Sequence, residues 1–210
     1  MSAQADFFFL YLSEMDQFLH DHCEDGQLWK ERLNWYARGL KELFELAVQL
    51  DPGASFAVFS DHGMTPVRQH YDLVKEVQGL GFDMPDDYLA VYDSTMGRFW
   101  FFDDCAHREI VGRLRSLPGG RIVSDDELRQ LGVFFDDRRY GEIIFLLHPG
   151  WLLSRSDFSG HGWKPVAMHG YDPNDPHSDA VFLCNRKPGH NMNTIADVYG
   201  YMQEVIQVRG

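Results

Sequence analysis

Phe7-Phe8-Phe9-Leu10-Tyr11-Leu12 is apolar at every position. A strand with one wet face alternates apolar and polar residues, so an unbroken run reads as a strand covered on both faces inside a parallel sheet. That reading commits the chain to an α/β architecture. The expected form is a mixed, mainly parallel sheet flanked by helices and incomplete on its N-terminal side, because such a strand normally has a neighbour on either hand. Strand and helix patterns then alternate along the chain, as α/β folds require. Residues 27–50 carry Leu33, Tyr36, Ala37, Leu40, Phe44, Ala47 and Leu50 at helical spacing, and Asp51-Pro52-Gly53 ends the pattern. Residues 66–79 predict a shorter helix with Leu73, Val74 and Val77 turned inward.

Residues 86–148 have a different grain. Tyr88–Asp93 and Arg98–Asp103 predict a hairpin joined through Ser94-Thr95-Met96-Gly97, and Arg108–Leu117 predicts a helix. Ser124-Asp125-Asp126-Glu127 has the form of a capping box, and Glu142–Leu147 reads as a strand. The expected organisation is residues 1–85 as the first part of an α/β core, 86–148 as a small α+β insertion, and 149–210 as the return to the core. The insertion is scaffold by default, and a lid or substrate wall in a functional reading. Residues 160–176, rich in Gly, Pro, His and Asp, form a long loop.

The chemistry concentrates in three places. The apolar run Ser55–Phe59 stops at Ser60-Asp61-His62-Gly63-Met64. Neighbours on a strand point to opposite faces, but at a strand end beside a glycine an adjacent Asp and His can converge. After Phe7–Leu12, Asp16 and His20 stand at i and i+4, on one face if that segment is helical. Downstream, Met168-His169-Gly170-Tyr171-Asp172 sets a histidine before a glycine, ahead of the strand pattern Ala180–Leu183. Strand ends are where open α/β sheets place their sites, and carboxylate with imidazole is a zinc donor set. An isolated Asp-His pair is more often a turn or a surface hydrogen bond; three such segments together carry the reading. His22, His70, His107, His148, His161, His177 and His190 are read as surface or loop residues, although His161 and His177 flank the His169 loop.

In their order, Asp-x-x-x-His, then Ser-Asp-His-Gly-Met, then His-Gly-Tyr-Asp resemble the alkaline phosphatase superfamily, and within it the type I phosphodiesterase/nucleotide pyrophosphatase family. Asp179–Leu183 and Thr194–Tyr199 extend the resemblance, which covers residues 7 to about 206. The resemblance implies two divalent metal ions, zinc by preference with manganese tolerated. One would be held by Asp16, His20 and His169, the other by Asp61 and His62. It also implies a small phosphoester substrate, a phosphodiester or nucleotide pyrophosphate, attacked through a phospho-enzyme. In the family, a further aspartate and the nucleophilic threonine or serine precede the Asp-x-x-x-His segment by a long stretch. Only fifteen residues precede Asp16 here. The chain is therefore expected to be the C-terminal portion of the hydrolase, completed by an N-terminal segment or a partner chain. The alternative is a non-catalytic, metal-binding remnant acting as a binding or regulatory module. Thr65, Ser94 and Thr95 are read as turn or cap residues, not nucleophiles.

Composition fits this frame. A formal charge of -13 argues against nucleic acid as partner, whereas bound cations would dominate the field at a small phosphoester. Cys23, Cys105 and Cys184 are too few and scattered for a disulfide framework, which leans to a reducing, cytoplasmic setting. No apolar stretch has the length of a membrane span.

Overall fold

The computed structural model describes residues 6–158 and 163–207. In chain order run α1 (Glu14–His22), α2 (Gly26–Leu50), β1 (Ala57–Phe59), β2 (Thr65–Pro66), β3 (Gln69–Tyr71), α3 (Leu73–Gln78), β4 (Tyr88–Asp93) and β5 (Met96–Phe101). Then follow α4 (Asp104–Ser116), β6 (Gly120–Ile122), α5 (Asp125–Gln130), β7 (Ile143–Leu147), β8 (Trp151–Leu153), β9 (Ala167–Met168), a 3-10 turn (Pro176–Ser178), β10 (Phe182–Cys184) and α6 (Ile195–Gln207). The α/β class holds. The pairing is less parallel than expected: among the described residues only β3 with β8 is parallel, and the other strand pairs are antiparallel. The chain divides into two units, residues 1–63 with 179–210, and residues 64–178.

The first unit is built on α2 and a short ladder. Asp25 caps α2 by accepting hydrogen bonds from the Gln27 and Leu28 amides, and the helix ends at Leu50 before Asp51-Pro52. β1 and β10 run antiparallel, with Val58 opposite Leu183. Asn185 extends the ladder: its side chain accepts from the Phe56 amide and donates to the Ala54 carbonyl. Phe182 meets Tyr201 of α6 edge-on.

Phe7–Leu12 departs from expectation. It is not a strand among the described residues, and its side chains are open, Phe8 84% exposed and Tyr11 74%. An apolar run becomes a buried strand only where neighbours supply both ladders and both covering faces, and no described segment pairs with this one. Trp35, Leu46 and Leu50 of α2 are similarly exposed.

The second unit has the denser core. β4, β5, β7 and β6 form one antiparallel sheet in that order. Helix α4 presents Ala106, Ile110 and Leu114 at i, i+4 and i+8, all at zero exposure, and packs on β5 and β6. With Leu73, Val77, Phe99 and Phe145 they make one apolar cluster. Each of the larger side chains contributes roughly 1.5–3 kcal/mol by leaving water, and Ala106 less. The expected capping box is present, with Ser124 and Glu127 each satisfying the other's amide. Residues 66–79 are helical only over Leu73–Gln78. Pro66 has no amide to continue a helical ladder, and Thr65-Pro66 and Gln69–Tyr71 find strand partners instead.

Candidate metal centre

Within the first unit, two segments deliver four polar side chains. Helix α1 starts after Ser13, so Asp16 lies in its first turn and His20 one turn later on the same face. His20 is only 5% exposed, and its Nε2 stands 3.6 Å from Asp16 Oδ2. The other segment leaves β1 at Ser60. The Ser60 amide donates to the Val181 carbonyl at 2.9 Å, and the Val181 amide donates to Ser60 Oγ at 2.9 Å. This lock fixes the backbone where Asp61 and His62 project.

His62 is held by its own neighbour. Its Nδ1 lies 2.8 Å from the Gly63 carbonyl oxygen. A carbonyl only accepts, so Nδ1 carries the hydrogen, and in the neutral ring Nε2 presents a lone pair. That Nε2 faces Asp61 Oδ1 at 3.5 Å and Asp16 Oδ1 at 3.9 Å. Both distances are too long for charge-assisted hydrogen bonds, which close to about 2.7–2.9 Å. They suit atoms sharing a cation: ligands of a tetrahedral zinc at 2.0–2.1 Å stand about 3.3 Å apart. Asp16 reaches towards both histidines with different oxygens, so its carboxylate stands between the His20 position and the Asp61–His62 pair. The donor set is oxygen and imidazole nitrogen, which fits zinc and tolerates manganese.

His169 belongs to the second unit, where it follows β9 directly. Met168 is paired with Thr65 and nearly fully buried, while Gly170 adopts φ +84, a conformation that suits glycine. Thr95 Oγ1 donates to the Gly170 carbonyl at 2.8 Å, and the Tyr171 hydroxyl donates to the Trp151 carbonyl. Asp172 accepts from the Asn174 amide and from Arg121 Nη2 at 2.7 Å; these bonds hold its carboxyl below the usual range. Asp172 is thus a fastening of the loop. Arg121 and Asp175 gave no signal in the sequence, and the Thr95 contact with Gly170 gave none either, because the partners lie 51, 110 and 75 residues away.

The hydroxyl candidates find structural partners. Thr65 is not a cap but a buried strand residue that donates to Asp175 Oδ2 at 2.8 Å. Ser94 and Thr95 form the turn between β4 and β5, shorter than expected because Met96 and Gly97 pair with Asp93 and Tyr92 in the ladder. His22, His70, His107, His148, His177 and His190 are all exposed, while His161 lies outside the described residues.

Residues 2–172 match the family model described as Type I phosphodiesterase / nucleotide pyrophosphatase. No curated protein matches the chain in sequence. Among solved structures, murine ectonucleotide pyrophosphatase / phosphodiesterase 5 is similar with a TM-score of 0.66 at 20% identity, over 84% of this chain and 46% of that one. The human counterpart gives 0.63 at 18% identity, over 80% and 44%. Phosphonoacetate hydrolase from Sinorhizobium meliloti, in complex with phosphonoacetate, gives 0.56 at 18%, over 77% and 43%. The chain spans under half the length of these solved relatives, and at such identity the likeness establishes the fold.

Proposed function

The chain belongs to the type I phosphodiesterase/nucleotide pyrophosphatase family, and we propose that it supplies the metal-holding portion of a phosphoester hydrolase site. Asp16, His20 and His169 hold one divalent cation, and Asp61 with His62 holds part of the shell of a second. The observation that carries this reading is the convergence of Asp16, His20, Asp61 and His62, with the His62 ring fixed through Nδ1 on the Gly63 carbonyl. A ligand histidine typically has its other ring nitrogen fixed in this way.

The chain's own groups have distinct tasks. Asp16 and Asp61 supply the negative charge that draws a dication. The buried His20 adds a neutral nitrogen with little rotational freedom. The Gly63 carbonyl sets the His62 tautomer, so that Nε2 and not Nδ1 is the donor atom. When bound, zinc would polarise phosphoryl oxygens and favour a deprotonated oxygen nucleophile near neutral pH. In this reading the attacking serine or threonine and the remaining ligand are supplied by a part of the family's fold outside the span matched here, in keeping with coverage of 46% of the murine relative. The substrate class is a phosphodiester or nucleotide pyrophosphate: an inactive variant of the murine relative is solved in complex with AMP. We place the chain in a reducing, cytoplasmic setting, since Cys23, Cys105 and Cys184 are not joined by disulfides among the described residues.

A second reading is a non-catalytic metal-binding module, in which Asp16, His20, Asp61 and His62 hold a cation without turnover. Two measurements separate the readings. Metal content of the purified chain, against Asp16→Ala and His62→Ala, tests the centre; equal metal in all three would refute it. Hydrolysis of bis(4-nitrophenyl) phosphate, measured with and without a second polypeptide carrying the family's N-terminal half, tests turnover. Hydrolysis only in the complemented sample supports the hydrolase portion, and metal binding without hydrolysis in either sample supports the module.

A further inference from the structure

The hairpin turn Ser94-Thr95 is held more tightly than a scaffold turn needs. Ser94 takes φ +24, outside the regions that non-glycine residues favour. Three hydrogen bonds hold it there. The Ser94 amide donates to Ser156 Oγ, the Leu153 amide to the Ser94 carbonyl at 2.8 Å, and the Leu147 amide to the Thr95 carbonyl at 2.9 Å. The ends of β7 and β8 therefore grip the turn, and the residue they present is Thr95, 3% exposed.

Its hydroxyl has one described partner, the Gly170 carbonyl at 2.8 Å. The fit is mutual: a Cβ on Gly170 would lie 3.1 Å from Thr95 Oγ1, in a backbone conformation that already disfavours side chains. On the other side of His169, Met168 is fixed by its pairing with Thr65. The backbone of His169 is thus pinned at both neighbours, by a ladder before it and by a buried hydroxyl after it. The geometry points to Thr95 as a positioning residue that sets His169 for metal binding. This rests on the assignment of His169 as a ligand in the proposed function. Thr95 touches no metal in this account; it acts by removing freedom from the segment that carries the imidazole. Outer groups that orient a ligand typically change metal affinity by about 10–100-fold when removed.

Zinc affinity of the full chain, measured by competition with a chromogenic chelator, tests the proposal. Thr95→Val is expected to weaken zinc binding by roughly tenfold or more, and Thr95→Ser, which keeps the hydroxyl, to restore most of it. Gly170→Ala, which crowds the same contact from the other side, is expected to weaken binding as well. The melting temperature of the metal-free chain is read in parallel, since a purely stabilising contact lowers it without a selective loss of zinc. Where Thr95→Val does not fold, Thr95→Ala removes the hydroxyl without setting an apolar methyl against the Gly170 carbonyl and carries the same expectation. Wild-type affinity in a folded hydroxyl-free variant, with His169→Ala weakened, would overturn the role of Thr95 and leave the ligand assignment standing. Wild-type affinity in His169→Ala would overturn the ligand assignment and, with it, this inference.

Discussion

The Nδ1 hydrogen of His62 is donated to the carbonyl of Gly63 at 2.8 Å, the next residue along the chain. One peptide unit thereby fixes the ring with Nε2 towards Asp16 and Asp61. The glycine in Asp-His-Gly-Met contributes a carbonyl as well as a turn.

Asp16 faces both His20 and His62, at 3.6 Å and 3.9 Å, whereas Asp61 faces His62, so the loss of Asp16 should cost more. Asp16→Asn keeps the shape and removes the charge. Zinc affinity of this variant is expected to fall by more than about tenfold, with the circular-dichroism spectrum unchanged. Calorimetric titration reads the change.

Arg121 ties together Glu127 and Asp172, with its Nη2 at 2.8 Å and 2.7 Å. Because all three groups are partly exposed, Arg121→Met should cost no more than about 1 kcal/mol near neutral pH. The pH dependence is more informative. The folded carboxyl of Asp172 is depressed, first by the Asn174 amide and then by Arg121. Its contribution is therefore full above the unfolded value of about 3.9 and is lost as pH falls through the lower folded value. Thermal melts in that acid window should show a steeper loss of stability for the wild type than for Arg121→Met.

Phe99 has zero exposure and packs edge-on against Tyr92. Phe99→Ala is expected to destabilise the second unit by about 3–5 kcal/mol, through lost burial and the cavity left behind. Denaturant unfolding followed by tryptophan fluorescence measures it.

Phe8 and Leu10 are 84% and 63% exposed within an apolar run. Contiguous apolar surface of this kind promotes association. Sedimentation of the full chain should show concentration-dependent self-association that the double substitution Phe8→Asp, Leu10→Asp diminishes. Because these side chains are not buried, the melting temperature should hardly move.

How much of this was legible in the sequence depends on the range of the interactions. The α1 face was readable because i and i+4 neighbours meet on any helix, as Asp16 and His20 do. The extent of α2, the Ser94-Thr95 turn and the Ser124–Glu127 box were readable for the same reason: each is decided within a few residues. Strand direction was not. β1 pairs with a segment more than 120 residues away, and nothing in Ala57–Phe59 states whether that partner runs parallel or antiparallel. The run Phe7–Leu12 shows the limit most plainly, since its pattern reports a demand for covering partners and not their presence. Among the candidate residues, the motifs gave the donors, while the groups that fix them, Thr95 beside Gly170 and Arg121 on Asp172, are long-range and carry no local signature.

X-ray absorption at the zinc edge of the metal-loaded chain tests the central claim most directly. The account predicts a first shell of oxygen and nitrogen only, at about 2.0–2.1 Å, with outer scattering from imidazole that diminishes in His20→Ala and His62→Ala. A sulfur shell near about 2.3 Å, which would place the metal on Cys23, Cys105 or Cys184, would contradict it, as would a spectrum unchanged by those substitutions.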